Sequence, residues 1–568
     1  MPLDADLARP LEGLREAIAG TRFALVGTGT VEAAGARDAL VKQIDDYLLP
    51  RLRSLDAPLL AVVGGSTGAG KSTLVNSLVG ADVSVAGVLR PTTRSPVLVC
   101  NPADRRWFED DRVLPGLART SGAEGGHGSV HLVESDGLEA GLALVDAPDI
   151  DSVVAANREL AAQLLAAADL WIFVTTAARY ADAVPWELLA TASERSAEVA
   201  VVLDRTPPEA VEEVSADLRR MLADHGLGGA IVRSIEESVL EAGRLPDDQV
   251  ASLRDWLTAL AGDAGARGEV VRATLDGALS SMERKVAELA DAAREQERVA
   301  EALRALPSDA YDDALGDIVE SMRDGTLLRG EVLDRWQEFV GTGELMRSVQ
   351  AKVGLVRDRA WAALTGRPTV VAGVQEAVES GVEAIVHAAA DRAAGRTVAS
   401  WRDGAAGRDL VRGQERELGR ASPALLAALP AEVRAWQGQV LDLVREQGAG
   451  KRTSARVASY TLNGAGLAVM LAVFAHTGGL SGAEVAVAGG TSAASQKLIE
   501  AVFGDQAVRA LARQAREDLL ERVERLLATD AARFHMLVDA AAPSDGGHSL
   551  RKAVADWRDV RSRVGRAR

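Results

Sequence analysis

Between residues 56 and 265, short runs of consecutive apolar residues alternate with stretches whose apolar positions recur at helical spacing. The runs read LLAVVGG, SPVLVC, VHLVE, LALVDAP, LWIFVTT, VAVVLDR and AIVRSI. Uninterrupted apolar runs of this length, bounded by turn residues, predict strands covered on both faces. NRELAAQLLAAAD and PWELLATASER, which fall between them, predict helices. The alternation predicts an α/β domain with a mostly parallel sheet and helices on both faces. Residues 1–55 read instead as a helical arm, interrupted near GTGTVEAAG, that packs on a bundle. From residue 266 to 568 no strand pattern appears, and VVRATLDGALSSMERKVAELADAAREQERVAEALRAL carries apolar residues three and four apart over many turns. The expected architecture is therefore an N-terminal arm (1–55), an α/β domain (56–265) and a long all-α bundle or stalk (266–568).

Composition agrees with a mostly helical chain. Hydrophobic residues make up 47% of it but aromatic residues only 4%, so Ala, Leu and Val supply the apolar surface, mixed with Arg, Glu and Asp. At 568 residues the chain exceeds what one core usually serves. A net charge of −18 argues against nucleic acid as a partner, because phosphate contacts need clustered cations. Only the tail RKAVADWRDVRSRVGRAR is locally basic, which suits either a solvated helix face or an anionic lipid surface. The single cysteine, Cys100, permits no intrachain disulfide, and the seven histidines show no metal-site spacing. The start MPLDADLARPLEG lacks a secretory pattern, so a cytoplasmic location is expected.

One stretch of the bundle departs from the rest. Residues 457–503 include VASYTLNGAGLAVMLAVFAHTGGLSGA, without a charge, and a second apolar run after Glu484. Its central residues 464–475 would form about 18 Å of helix, against about 30 Å of bilayer hydrocarbon. A helical hairpin turning at TGGLSG is expected, either shallowly inserted at the inner face of the cell membrane or buried in the bundle, where Gly and Ala allow close helix approach.

The candidate chemistry begins where the first apolar run ends. Gly65, Ser66, Thr67, Gly68, Ala69, Gly70, Lys71 and Ser72 fit G-x-x-x-x-G-K-[ST] between a strand and a helix, with Thr73 next in line. Such a loop turns successive backbone N–H groups, and a helix N-terminus, toward phosphate. Lys71 is expected on the β- and γ-phosphate oxygens and Ser72 on Mg²⁺. Asp146, at the end of LALVD, is placed to support the metal, and the polar loop VLRPTTRSP offers Thr92 or Thr93 to close over metal and attacking water. An ABC-type ATPase fits poorly, because Ala147 stands where the catalytic Glu would follow Asp146, and the nearest signature-like peptide, LSGAE, lies in the apolar hairpin. Arg179, in AARYADAVPWELL, suits a phosphate contact or, more ordinarily, solvent.

The order GGSTGAGKS, PTTRSP, DAPD and a helical bundle with an apolar hairpin resembles the bacterial dynamin-like GTPases. The resemblance spans nearly the whole chain in architecture, but specific motifs occur only in the G domain. It implies Thr93, in Thr93-Arg94-Ser95-Pro96, as the catalytic threonine and a third Mg²⁺ ligand beside Ser72 and Asp146. It also implies GTP hydrolysis, homo- or hetero-oligomers formed through G domains, a G-domain-to-bundle angle that changes on turnover, and membrane binding or remodelling through the hairpin, as in division or envelope maintenance. Three departures stand out. Asp149 replaces the glycine of D-x-x-G, Thr67-Gly68 replaces the P-loop Gln-Ser pair, and Asp204-Arg205-Thr206-Pro207 puts Pro207 where a guanine-reading carboxylate is expected. Asp204 and Arg205 are then the candidates for contacting the base. Losing that carboxylate weakens discrimination by about 1.5–3 kcal/mol. A soluble switch or assembly protein with a protein partner, and a P-loop ATPase, are the alternative readings.

Overall fold

The computed structural model describes residues 7–85, 95–110, 112–120, 128–152, 154–194, 197–323, 370–449, 505–542 and 547–566. The switch-loop residues Thr92 and Thr93 and the hairpin 457–503 lie outside them. Two compact units are present, one formed by residues 1–23, 29–295 and 545–568, the other by 24–28 and 296–544.

In the first unit an eight-stranded sheet runs in the order β3-β4-β2-β5-β1-β6-β7-β8. The strands are β1 (Leu59–Gly65), β2 (Val97–Cys100), β3 (Ala118–Thr120), β4 (Ser129–Glu134), β5 (Leu142–Asp146), β6 (Leu170–Thr176), β7 (Glu198–Thr206) and β8 (Ile231–Glu236). All seven apolar runs form strands, and the short β3, which carries no such run, adds the eighth. Pairing is parallel except between β2 and β5. Every residue of β1, β5 and β6 is buried, as unbroken apolar runs require when both faces are covered. On one face, Leu74 and Leu78 of α4 (Lys71–Val79) pack with Leu253 and Leu257 of α8 (Asp247–Gly262). On the other, Leu160 and Leu164 of α5 (Ala155–Ala166), Leu189 of α6 (Ala183–Glu194) and Leu218 of α7 (Val211–Asp224) cover the sheet. The domain is thus a doubly wound α/β domain.

The same unit holds a helical core. α1 (Ala8–Gly20), α2 (Thr30–Gln43), the π-helical turn Ile44–Leu48 and α3 (Leu49–Arg53) contribute Leu11, Leu14, Ile18, Ile44 and Leu48. These pack with Leu275, Met282 and Val286 from the first part of α9 (Ala264–Arg323) and with Trp557 of the last helix. Trp557 Nε1 donates to Glu283 Oε1 at 2.7 Å, so the indole is buried without losing its polar partner.

The second unit is all helical. It combines the rest of α9 with α10 (Val370–Asp403), α11 (Ala405–Val411), α12 (Glu415–Leu418), α13 (Pro423–Ala449) and α14 (Asp505–Ala541), while α15 (His548–Arg566) belongs to the first unit. Its core holds Trp401, Trp436 and Phe534, and the two indoles donate to the carbonyls of Leu303 and Ala515. Among the described residues no helix is long and apolar enough to cross a membrane.

Candidate functional site

The site forms where β1, β5, β6 and β7 end on the same side of the sheet. β1 delivers the chain to Gly65, whose φ of +153° sits directly against β6, so that a Cβ there would run into the Val174 carbonyl. Gly70 has φ +95°, and a Cβ on it would collide with Asp204 Oδ2. The glycines of the motif thus let the loop curl tightly against β6 and β7. α4 then begins at Lys71, and its first-turn amides have no partner within the helix.

Lys71 is turned inward. Its Nζ donates to Gly65 O at 2.9 Å, Ser66 O at 3.0 Å and Asp149 Oδ1 at 2.5 Å. Ser72 Oγ donates to Asp146 Oδ2 at 2.6 Å, bringing the helix start and the end of β5 together. Asp146 is fully buried. Burial pushes its carboxyl above the usual carboxylate range, and the Ser72 and Ser84 hydroxyls and the Lys71 charge offset only part of that. Among the described residues, its Oδ1 has no hydrogen-bond partner.

That orphaned oxygen bears on the metal. A buried carboxylate oxygen beside a serine hydroxyl is a hard-oxygen donor set of the kind Mg²⁺ takes together with water and phosphate, so the residues fit Mg²⁺. Thr93, the third expected ligand, lies outside the described residues. No group of three or more His, Cys, Asp or Glu side chains suited to a metal occurs among the described residues.

Asp204 and Arg205 end up below and beside the loop. Asp204 is 6% exposed and lies against Gly70, with burial raising its carboxyl and the Arg205 backbone N–H and charge opposing that. Arg205, at φ +49°, donates to the Gly68 carbonyl. Arg205 therefore braces the loop, while Asp204 lies under Gly70 with its Oδ1 lacking a hydrogen-bond partner among the described residues. Pro207, directly after β7, caps the short 3₁₀ turn Pro208–Ala210 and presents no acceptor from its side chain.

Several contributors escaped the sequence reading. Ser84 Oγ donates to Asp146 Oδ2 at 2.5 Å, and Asn76 fixes the Ser84 backbone through both its amide groups. A lone serine in a loop carries no pattern that would reveal this. Asp151 Oδ1 accepts both Thr67 N, at 2.6 Å, and Thr67 Oγ1, at 2.7 Å. Arg179 is engaged while still 40% exposed, since it donates to Asp151 Oδ2 and Asp182 Oδ2, each at 2.9 Å, and to Thr67 O at 3.2 Å. Burial opposes ionisation of Asp151, yet the bonds from Thr67 and Arg179 together outweigh it and hold the carboxyl below its ordinary range.

The state of Asp146 leads to a prediction of opposite signs. Its pKa is raised on folding, so the associated stability is full below the ordinary value of 3.8 and is lost as pH rises through the folded-state value. At neutral pH the buried charge is a net cost. Asp146→Asn is expected to raise the nucleotide-free protein's stability at pH 7 by about 0.5–2 kcal/mol, with the gain shrinking toward pH 4, while Mg²⁺-dependent nucleotide binding falls. Thermal unfolding from pH 4 to 8 checks this, and a variant less stable than the parent at pH 7 contradicts it.

No family model matches the sequence, and no curated protein matches it. Among solved structures, the chain is similar to a member of an oligomerised bacterial dynamin pair described as sensing and tethering membranes, at 12% identity and a TM-score of 0.44, over 98% of this chain and 95% of that one. It is also similar to LeoA, a bacterial dynamin GTPase from ETEC, at 12% identity and a TM-score of 0.25, over 97% and 98% of the two chains. Era, solved with MgGDPNP and ribosomal RNA, matches at 19% identity and a TM-score of 0.23, over 35% of this chain and 56% of its own. These likenesses are of fold, and the geometry around Lys71, Ser72 and Asp146 is what speaks to chemistry.

Proposed function

We propose that the chain is a dynamin-like GTPase that uses the β–γ cleavage of GTP to drive membrane binding or remodelling. The observation that carries the nucleotide part is the convergence of Lys71, Ser72 and the fully buried Asp146 at the joined ends of β1 and β5. In this reading the amides of residues 65–73 hold the polyphosphate, Lys71 neutralises its terminal oxygens, and Ser72 and Asp146 hold Mg²⁺. Bound Mg²⁺ supplies charge neutralisation on the phosphate oxygens. Thr93, by its place in T-R-x-P, closes over the phosphate and orients water. Arg205 supports the reaction by bracing the loop. Guanine would be read by groups other than a β7 carboxylate, since Pro207 occupies that place.

The membrane part rests on the apolar segment 457–503 and the family resemblance, with anionic lipid as the partner and G-domain pairing as the oligomer contact. Association from the cytoplasmic side, peripheral or shallow, is the corresponding location.

Two measurements on the intact chain test the reading. Labelled GTP should bind in the presence of Mg²⁺ and resist a hundredfold excess of ATP; displacement by ATP would make the protein a P-loop ATPase instead. Vesicles containing anionic lipid should pellet the parent and not a variant lacking 457–503. Equal, negligible pelleting would leave a soluble switch.

A further inference from the structure

Lys71 already has an anionic partner. An ammonium has three N–H donors, and at Lys71 all three are used, two on the carbonyls of Gly65 and Ser66 and the third on Asp149 Oδ1. The two carbonyls are fixed parts of the loop, since Gly65 O also accepts Ile150 N at 3.4 Å and Ser66 O accepts Ala69 N at 3.1 Å. Asp149 is the one partner that sits on a side chain with room to move: the Asp149 side chain is 28% exposed, against 5% for Lys71.

The residues around Asp149 hold it in this place. Ile150 is buried, and Asp151 bonds the amide and hydroxyl of Thr67. Three successive residues after Pro148 thus dock on the phosphate loop, two of them through carboxylates that satisfy donors a phosphate chain would otherwise take.

We propose that Asp149 is an internal competitor for polyphosphate and a determinant of how many phosphates the site accepts. The proposal rests on the nucleotide reading above. A carboxylate and a phosphate oxygen cannot both accept from the same ammonium donor, and their like charges repel at that distance. Only the Asp149 side chain must swing out to admit the nucleotide, because the Ile150 anchor keeps the backbone where it is. The energetic penalty falls on whichever phosphates reach Lys71. It is therefore largest for a triphosphate, smaller for a diphosphate and absent for a monophosphate.

Asp149→Asn keeps the shape and removes the charge, and Asp149→Gly removes both. Equilibrium titration of the full chain with fluorescent GTP, and competition by GDP, GMP and inorganic tripolyphosphate, read the effect. Both variants should bind GTP and tripolyphosphate at least tenfold tighter than the parent, GDP tighter by a smaller factor, and GMP unchanged. In a Lys71→Ala background the Asp149→Asn gain should shrink, because competition for the ammonium is gone and only charge repulsion is left; an undiminished gain overturns the competition. Equal, measurable GTP affinities of parent and Asp149→Asn overturn the inference and leave the nucleotide reading intact, as does an equal gain for GMP, which would mark a general change of the loop. Absence of GTP and tripolyphosphate binding in the parent and both variants overturns both.

Discussion

Replacing Lys71 by alanine is expected to lower GTP affinity by at least a hundredfold and to abolish hydrolysis. Lys71 would make two charge-assisted bonds to terminal phosphate oxygens. Bonds to charged groups contribute about 1.5–3 kcal/mol each, so the pair gives about 3–6 kcal/mol, or roughly 10²–10⁴ in affinity. Water has no equivalent way to replace the ammonium, because the side chain is almost wholly enclosed by the loop and by Asp149. The fold should survive, since the carbonyls of Gly65 and Ser66 keep their backbone donors, Ile150 N and Ala69 N, when the ammonium is gone. Calorimetric titration with GTP and Mg²⁺, accompanied by circular dichroism, separates the outcomes. A properly folded variant that binds within threefold of the parent would remove the phosphate assignment.

Asp169→Ala is expected to destabilise the first unit by about 3–5 kcal/mol, the range for stripping one partner from a buried ion pair. Asp169 stands at the entrance to β6, where its Oδ2 accepts Leu60 N at 2.9 Å and pairs with Arg51 Nη2 at 3.0 Å. Tyr47 OH donates to its Oδ1 at 3.4 Å, and Thr274 Oγ1 to its backbone carbonyl at 3.1 Å. One residue therefore fastens α3, the π-helical turn, β1 and α9 together. The side chains of Arg51 and Asp169 are only 7% and 2% exposed, so alanine leaves a buried guanidinium with only the Ser54 and Ala57 carbonyls as partners. Asp169→Asn keeps an acceptor for Leu60 N and should lose a smaller part. Urea titration gives the size of the effect, and hydrogen exchange at β1 and β6 amides assigns it to this unit. A loss below about 1 kcal/mol, against the range for buried pairs, would show that the pair is not the fastening it looks to be.

The strands β1, β2, β5 and β6 were legible because a strand covered on both faces has to be apolar throughout, β4 and β8 because shorter apolar runs remain in them, and the Lys71 loop because its glycines, Lys71 and Ser72 must occur in fixed order. The antiparallel joint between β2 and β5 was not, since both strands are as apolar as their parallel neighbours and direction leaves no mark on composition. Ser84, Asp151 and the engagement of Arg179 were hidden for another reason: each acts through a side-chain contact between segments far apart in sequence. Asp149 was visible as a substitution for glycine, but only the folded loop shows its carboxylate on Lys71. Pro307 and Pro430 lie inside α9 and α13, where tertiary packing outweighs the local penalty of a proline. Thr93 and residues 457–503, the expected switch and membrane contacts, fall outside what the structure describes.

α1 and α15 share one core, with Leu11 and Leu14 in the same apolar cluster as Trp557. During translation, the helices made first must then wait, without their partner, until the whole of the second unit has left the ribosome. The unit that carries the Lys71 loop is therefore completed only after the second unit has been made, so a nascent chain stalled before His548 lacks Trp557 and leaves Leu11 and Leu14 with part of their cluster missing.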